Sequence, residues 1–278
     1  MSANTSHIYY TQASSGWTVS IVSVATNSAN LNDRNFNTPY TVTGASSATK
    51  VVYIDRGVSP TSGSLLRNPI QTLAITMYSG SKTNFGANAR ICIGQHDVLK
   101  AAKQVGQVSG SLSTYLNQDN GLFVLDIPTL YNKRFVKISF ENFTSNPTLT
   151  QVMLLRKNTI PRAASMYDSS ENFTHYEIDT TVNQAYDLST SVTRTDSFVF
   201  KKSYPIYGPA QIKTGQLIFK DCQGMVQPFI YQPGTTIGEM RLCKMTKKDS
   251  DIVEKQFNNK VQVFTFKEIY RIPSGYNS

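Results

Sequence analysis

Apolar and polar residues alternate with a period of two in short runs along most of the chain, the period of strands whose side chains face the two sides of a sheet in turn. In 72–78, Leu73, Ile75 and Met77 alternate with smaller residues. In 134–140, Val136, Ile138 and Phe140 fall on one face, and Phe135, Lys137 and Ser139 on the other. Further strand-like runs lie at 18–24, 50–55, 90–94, 122–127 and 149–155, then at 176–178, 197–200, 216–220, 228–231, 240–243 and 261–266. Turn clusters such as Ser59-Pro60-Thr61-Ser62-Gly63-Ser64 and Gln232-Pro233-Gly234 separate them. Helical spacing occurs in two places: 96–106, through Val98, Leu99, Ala102 and Val105, and 249–257, through Ile252, Val253 and Phe257 behind a capping Asp249 or Ser250. The pattern predicts an all-β protein with one or two short helices.

Asn158 to Ser165, carrying Pro161 among small residues, reads as a linker after a terminal strand. The expected organisation is two β-sandwich or jelly-roll-like domains, 1–157 and 158–278. A chain of 278 residues is long enough for two such cores. The tetrad Glu-Asn-Phe-Thr occurs at 141–144 and again at 171–174 with unmatched flanks, so it is a coincidence and not a repeat.

Composition sharpens this picture. Charged residues make up only 16% of the chain, below the roughly 25% of ordinary soluble domains. Ser, Thr and Asn take their place, as in rigid all-β assemblies and extracellular proteins. The net charge of +9 is uneven: residues 1–157 hold 13 Lys and Arg against 6 Asp and Glu, a net +7, and residues 158–278 hold 14 against 12. Such a field favours anionic partners and salt-sensitive association. The basic residues stand singly or in pairs, such as Lys133-Arg134 and Lys201-Lys202, which is the arrangement of a solvated face and argues against nucleic acid as partner.

The opening residues have neither a basic n-region nor an apolar h-region, and no run approaches the ~18 apolar residues of a membrane span. Cys92, Cys222 and Cys243 are odd in number and widely spaced, as expected of free thiols in a chain folded in a reducing cytoplasm; a Cys222–Cys243 bridge is the alternative. His7, His96 and His175 show no metal-ligand spacing and lie near no Gly-flanked Ser, and no Gly-rich phosphate loop is present. The expectation is a protein without catalytic residues. Trp17, beside Gly16, is expected to anchor the first core.

The stretch 29–56 is a polar turn, Ala29-Asn30-Leu31-Asn32-Asp33-Arg34-Asn35-Phe36-Asn37-Thr38-Pro39-Tyr40, feeding the apolar run Lys50-Val51-Val52-Tyr53-Ile54-Asp55-Arg56. It resembles the opening of discoidin-like (coagulation factor type C, galactose-binding-like) jelly rolls. Asp33, Asn35, Thr38 and Tyr40 stand where that family has Asp, Asn, Thr and Trp, and Asp55-Arg56-Gly57 stands for Asp-Leu-Gly. Arg134-Phe135-Val136-Lys137-Ile138 is similar to the family's penultimate strand, Arg-Tyr-Val-Arg-Ile.

The resemblance implies two activities. Calcium would be held by oxygens of Asp33, Asn35 and Thr38; Arg34 in place of the family's Gly and Gln151 in place of its Glu oppose this, leaving Asp33 and Asn35 to satisfy the loop's own backbone. No other cofactor is expected. Glycan would be met by loops at one end of the jelly roll, with Tyr40, Asn84, Phe85, Arg90 and Tyr115 as candidates. With its β-rich halves, free thiols and Ser/Thr/Asn-rich surface, the whole chain resembles a virion structural protein of a tailed bacteriophage, a neck, tail or baseplate component. Such a protein folds in the host cytoplasm and assembles with itself and other virion proteins. The alternative is an adhesin that recognises host surface glycans.

Overall fold

In a computed structural model the chain is built almost wholly from antiparallel strands. The structure describes residues 6–10, 18–21, 31, 38–42, 50–56, 70–77, 85–96, 105–117, 120–131, 133–160, 169–182, 188–206, 227–234, 239–247, 251–256 and 259–270. The strands of the first half are β1 (Ser6–Tyr10), β2 (Thr18–Ile21), β3 (Tyr40–Thr41), β4 (Lys50–Asp55), β5 (Ile70–Met77), β6 (Arg90–His96), β7 (Val105–Ser111), β8 (Leu116–Asn117), β9 (Leu122–Tyr131), β10 (Phe135–Glu141) and β11 (Thr148–Ile160), with one helical turn, α1 (Leu112–Tyr115), between β7 and β8. The second half adds β12 (Ser170–Val182), β13 (Leu188–Ile206), β14 (Phe229–Gln232), β15 (Arg241–Met245), β16 (Asp251–Gln256) and β17 (Asn259–Tyr270).

The alternation read from the sequence sets the layers of the first half. A five-stranded sheet, β2-β4-β10-β6-β7, faces the β3, β11, β5, β9 and β8 part of a 12-stranded sheet. Val136, Ile138 and Phe140 from the smaller sheet share one core with Leu73, Ile75 and Met77 from the larger one. Val52, Ile54, Ile91 and Ile93 complete the smaller sheet's contribution. This is the expected sandwich.

The larger sheet does not stop at the first half. Its order is β12-β13-β17-β15-β14-β1-β11-β5-β9-β8, with β16 beside β17 and β3 beside β11. The joining strand is β1, which pairs with β11 from Ser6↔Ile160 to Tyr10↔Arg156 and with β14 from His7↔Gln232 to Tyr10↔Phe229. Because neighbours on a strand face opposite ways, Ile8 and Tyr9 enter different cores. Ile8 joins Ile160, Phe200, Tyr204, Phe229, Tyr231, Phe264 and Phe266. Tyr9 joins Ala74, Val124, Met153, Leu155, Ile230 and Leu242, a stripe on the sheet's other face that crosses from one half to the other.

Buried polar groups along this joint are satisfied, as groups removed from water must be. The Tyr9 hydroxyl donates to Gln232 Oε1 at 2.6 Å. Asn117 and Asn120 donate their side-chain amides to the Met240 carbonyl at 3.2 and 2.7 Å. Thr76 and Thr150 hydroxyls meet at 2.5 Å inside the sheet.

Two expectations change. The segment 249–257 is not a helix: β16 occupies it, pairing with β17 from Asp251↔Val263 to Gln256↔Asn259. The apolar Ile252 and Val253 suit either structure, and a neighbouring strand decides between them. At 158–165, the first three residues are not linker, because β11 runs to Ile160 and stays paired with β1. The helical spacing at 96–106 is bounded by β6 and β7; its middle, 97–104, lies outside the described residues, as do Trp17, Pro161 and the run at 216–220. The one helix among the described residues is α1. Cys92 and Cys243 are buried free thiols, and Cys222 lies outside the described residues. Burial, followed by Glu141, pushes the Cys92 thiol up to about 11, and burial raises Cys243 well above its ordinary value, so both stay protonated near neutrality.

Candidate functional site

The two motifs that carry the family resemblance meet in space. Phe135 on β10 is in register with Asp55 at the end of β4. Beside it, Arg134 donates to both Asp55 oxygens, from Nε at 2.7 Å and from Nη2 at 2.6 Å. The hydrogen bond to Asp55 raises the Arg134 pKa further above its ordinary value. Arg56 Nη1 donates to the Lys133 carbonyl at 3.1 Å, and the Arg56 amide to the Arg134 carbonyl at 3.0 Å. The arrangement is a clamp that closes one end of the smaller sheet. It is structural, since both partners are consumed by each other.

The opposite end gathers the loops to which glycan binding was assigned. Arg90 opens β6, in register with Glu141 at the end of β10 and with Ser111 at the end of β7. The Leu112 amide donates to the Ala89 carbonyl at 3.0 Å, so the 85–90 loop and the α1 turn lie against each other. Asn142 turns the chain between β10 and β11 with φ 58°, a left-handed conformation that Asn tolerates better than most residues, and its side-chain amide reaches the Asn88 carbonyl at 3.4 Å.

Phe85, Arg90 and Tyr115 therefore share this end. Arg90 is exposed, and Phe85 and Tyr115 are partly buried. Phe85 meets Phe143 edge-on with ring centroids 4.9 Å apart, and Tyr115 meets Phe123 at 6.3 Å. Tyr115 is also held from the β7 side: a Cβ on Gly110 would come within 2.9 Å of its ring and of a Leu125 methyl. Only glycine lets β7 approach this closely.

Tyr40 does not fit the role assigned to it. It sits on β3 in register with Leu149 and is 3% exposed, inside the sandwich core. Burial raises its phenol pKa. Its ring fills the core and presents no face to a sugar. Asn84 lies outside the described residues.

Of the calcium set, Asp33 and Asn35 lie outside the described residues and Thr38 lies within them. Gln151, in place of the family's Glu, is buried on β11 in register with Thr76. Among the described residues, no group of three His, Cys, Asp or Glu is placed to hold a metal. Among the described residues, no helix is long and apolar enough to cross a membrane.

Sequence reasoning missed the side chains that tie the two halves, Asn117 and Asn120 on one side and the Met240 carbonyl on the other. Nothing local marks them, because their partner lies more than a hundred residues away. It also missed the length of the β12–β13 pair, which runs from Ser170↔Lys201 to Val182↔Leu188.

No protein-family model matches the sequence, and no curated protein matches it. A solved structure, "CpGH89CBM32-6 produced by Clostridium perfringens", is similar over 51% of this chain and 94% of that chain, at 17% identity and a TM-score of 0.36. A similarity of that size fixes neither the family nor the activity.

Proposed function

We propose that this protein is a non-enzymatic structural subunit of a tailed-phage virion, a neck, tail or baseplate component that assembles with copies of itself and with other virion proteins. One observation carries the reading: a single 12-stranded sheet passes through both halves of the chain and is locked at its middle by β1. A sheet of that extent, with apolar residues buried on both faces at the joint, makes a stiff plate, as a load-carrying subunit requires. The Tyr9–Gln232, Thr76–Thr150 and Asn117/Asn120–Met240 hydrogen bonds tie strands of this plate to one another. The phage setting rests on the whole-chain resemblance, carried by the β-rich halves, the free thiols and the Ser/Thr/Asn-rich composition. Gold-labelled antibody against the chain should decorate purified particles of the encoding phage at one position. Particles that carry none of the chain by mass spectrometry would end the reading.

Glycan recognition is the second reading, favoured by the convergence of Phe85, Arg90 and Tyr115 at one end of the sandwich. Arg90→Ala is the informative change there, because Arg90 is exposed and its loss leaves the core intact. On an array of bacterial surface glycans, binding should fall about tenfold, the loss of one charge-assisted hydrogen bond to a sugar hydroxyl. Unchanged binding would remove this end of the sandwich as the site.

A further inference from the structure

β13 is 19 residues long, yet it pairs with β17 only over Val199 to Ile206. Before Val199 its one partner among the described residues is β12, through Tyr176↔Arg194, Ile178↔Val192 and Val182↔Leu188. β12 is the last strand of the sheet and has no second neighbour among the described residues. The two strands therefore continue past the sheet as a two-stranded ribbon with an open edge. A lone hairpin is marginal in water, and an open edge is a template for pairing. A ribbon of this length is stable where another surface completes it.

Charge identifies that surface. Residues 173–198, the ribbon, contain four of the chain's 18 acidic residues, Glu177, Asp179, Asp187 and Asp196, but one of its 27 basic residues, Arg194. The ribbon is thus net −3, and the rest of the chain is net +12. Edge-to-edge pairing of β12 with β12 of a second copy would bring two acidic strands together, and like charges across strands destabilise a pair. Docking on the basic first half of a neighbour brings opposite charges together. That half is net +7, with Arg90 exposed and Lys133, Lys137 and Arg156 partly exposed. Phe173, 37% exposed at the base of the ribbon, supplies an apolar contact beside the charges.

We propose that the acidic β12–β13 ribbon docks head-to-tail on the basic first half, residues 1–157, of a neighbouring copy of this chain. A head-to-tail contact uses two different patches, so it closes into a ring where the rotation permits. This rests on the assembly reading above and adds its partner and its polarity.

The test compares the wild type with the double variant Glu177→Lys, Asp179→Lys. Both positions precede the part of the hairpin that meets β17, and circular dichroism confirms that the fold is kept. Light-scattering mass is measured at low and high salt. Zero-length carbodiimide cross-linking is then run on a mixture of isotope-labelled and unlabelled copies. The wild type should form an oligomer at low salt that dissociates at high salt, and the variant should associate at least tenfold more weakly. Cross-links should join Glu177 or Asp179 of one copy to a lysine of residues 1–157 of another. An oligomer unchanged in the variant, or one cross-linked only between second halves, overturns the head-to-tail contact and leaves the assembly reading in place. A monomer at every concentration and salt also overturns it, and labelling of virions then decides the assembly reading alone.

Discussion

Deleting Ser6–Tyr10 should abolish cooperative folding of the chain, not trim one end of it. β1 is the only strand that pairs with both β11 and β14 among the described residues, so its loss cuts the large sheet at its middle. Ile8 and Tyr9, each 1% exposed, leave separate cores. Burial of side chains of that size is worth about 1.5–3 kcal/mol each. The hydrogen bond from the Tyr9 hydroxyl to Gln232 goes with them. Together these consume much of the roughly 5–15 kcal/mol that holds an ordinary protein folded. Strand edges on β11 and β14 also become available for aggregation. Soluble yield should collapse, and any soluble product should lose its single thermal transition. A truncated chain with an unchanged transition would show that the halves are not held through β1.

Phe266→Ala should unfold the second half at about 3–5 kcal/mol less than the wild type, the range for removing a buried aromatic side chain. Phe266 is 1% exposed. Its ring lies 5.1 Å from Phe200, 5.4 Å from Phe229 and 4.8 Å from Tyr231. Those neighbours come from β13 and β14, so nothing can collapse into the cavity without moving two strands. The urea midpoint checks this, with Phe173→Ala as the comparison. Phe173 also touches a ring, Phe198 at 4.8 Å, but it is exposed, and its loss should cost less than about 1 kcal/mol. Equal shifts for the two variants would mean that the aromatic cluster is not the core of this half.

The strands were legible because side-chain alternation is local. Leu73, Ile75 and Met77, and Val136, Ile138 and Phe140, meet in one core as their spacing predicts. The Asp55–Arg134 clamp was legible as two motif fragments, although not as an ion pair. What escaped was set by distant partners. Ile252 and Val253 form a strand because Gln262 and Val261 lie beside them. Tyr40 looked like a loop aromatic until Leu149 was placed opposite it. The tetrad Glu-Asn-Phe-Thr makes the point directly. At 141–144 it closes β10 and turns through Asn142, whereas at 171–174 it runs straight along β12 against Val199 and Phe200. The candidate glycan end was partly legible: Phe85, Arg90 and Tyr115 converge because turn signals placed them at strand ends on the same side of the sandwich.

The position of β1 also sets the order in which the chain can fold. His7 pairs with Gln232, so β1 must wait for a strand made much later in synthesis. Contacts of such long sequence separation slow folding, since the loop between them must close before they return any stability. Until then β1, even once paired with β11, has an open edge on the side β14 will occupy. The waiting intermediate is a half-built sheet, exposed for as long as it takes to synthesise and arrange the second half. Expression at low temperature or with chaperone support should therefore raise the yield of native protein through kinetics, with no change in the stability of the finished fold.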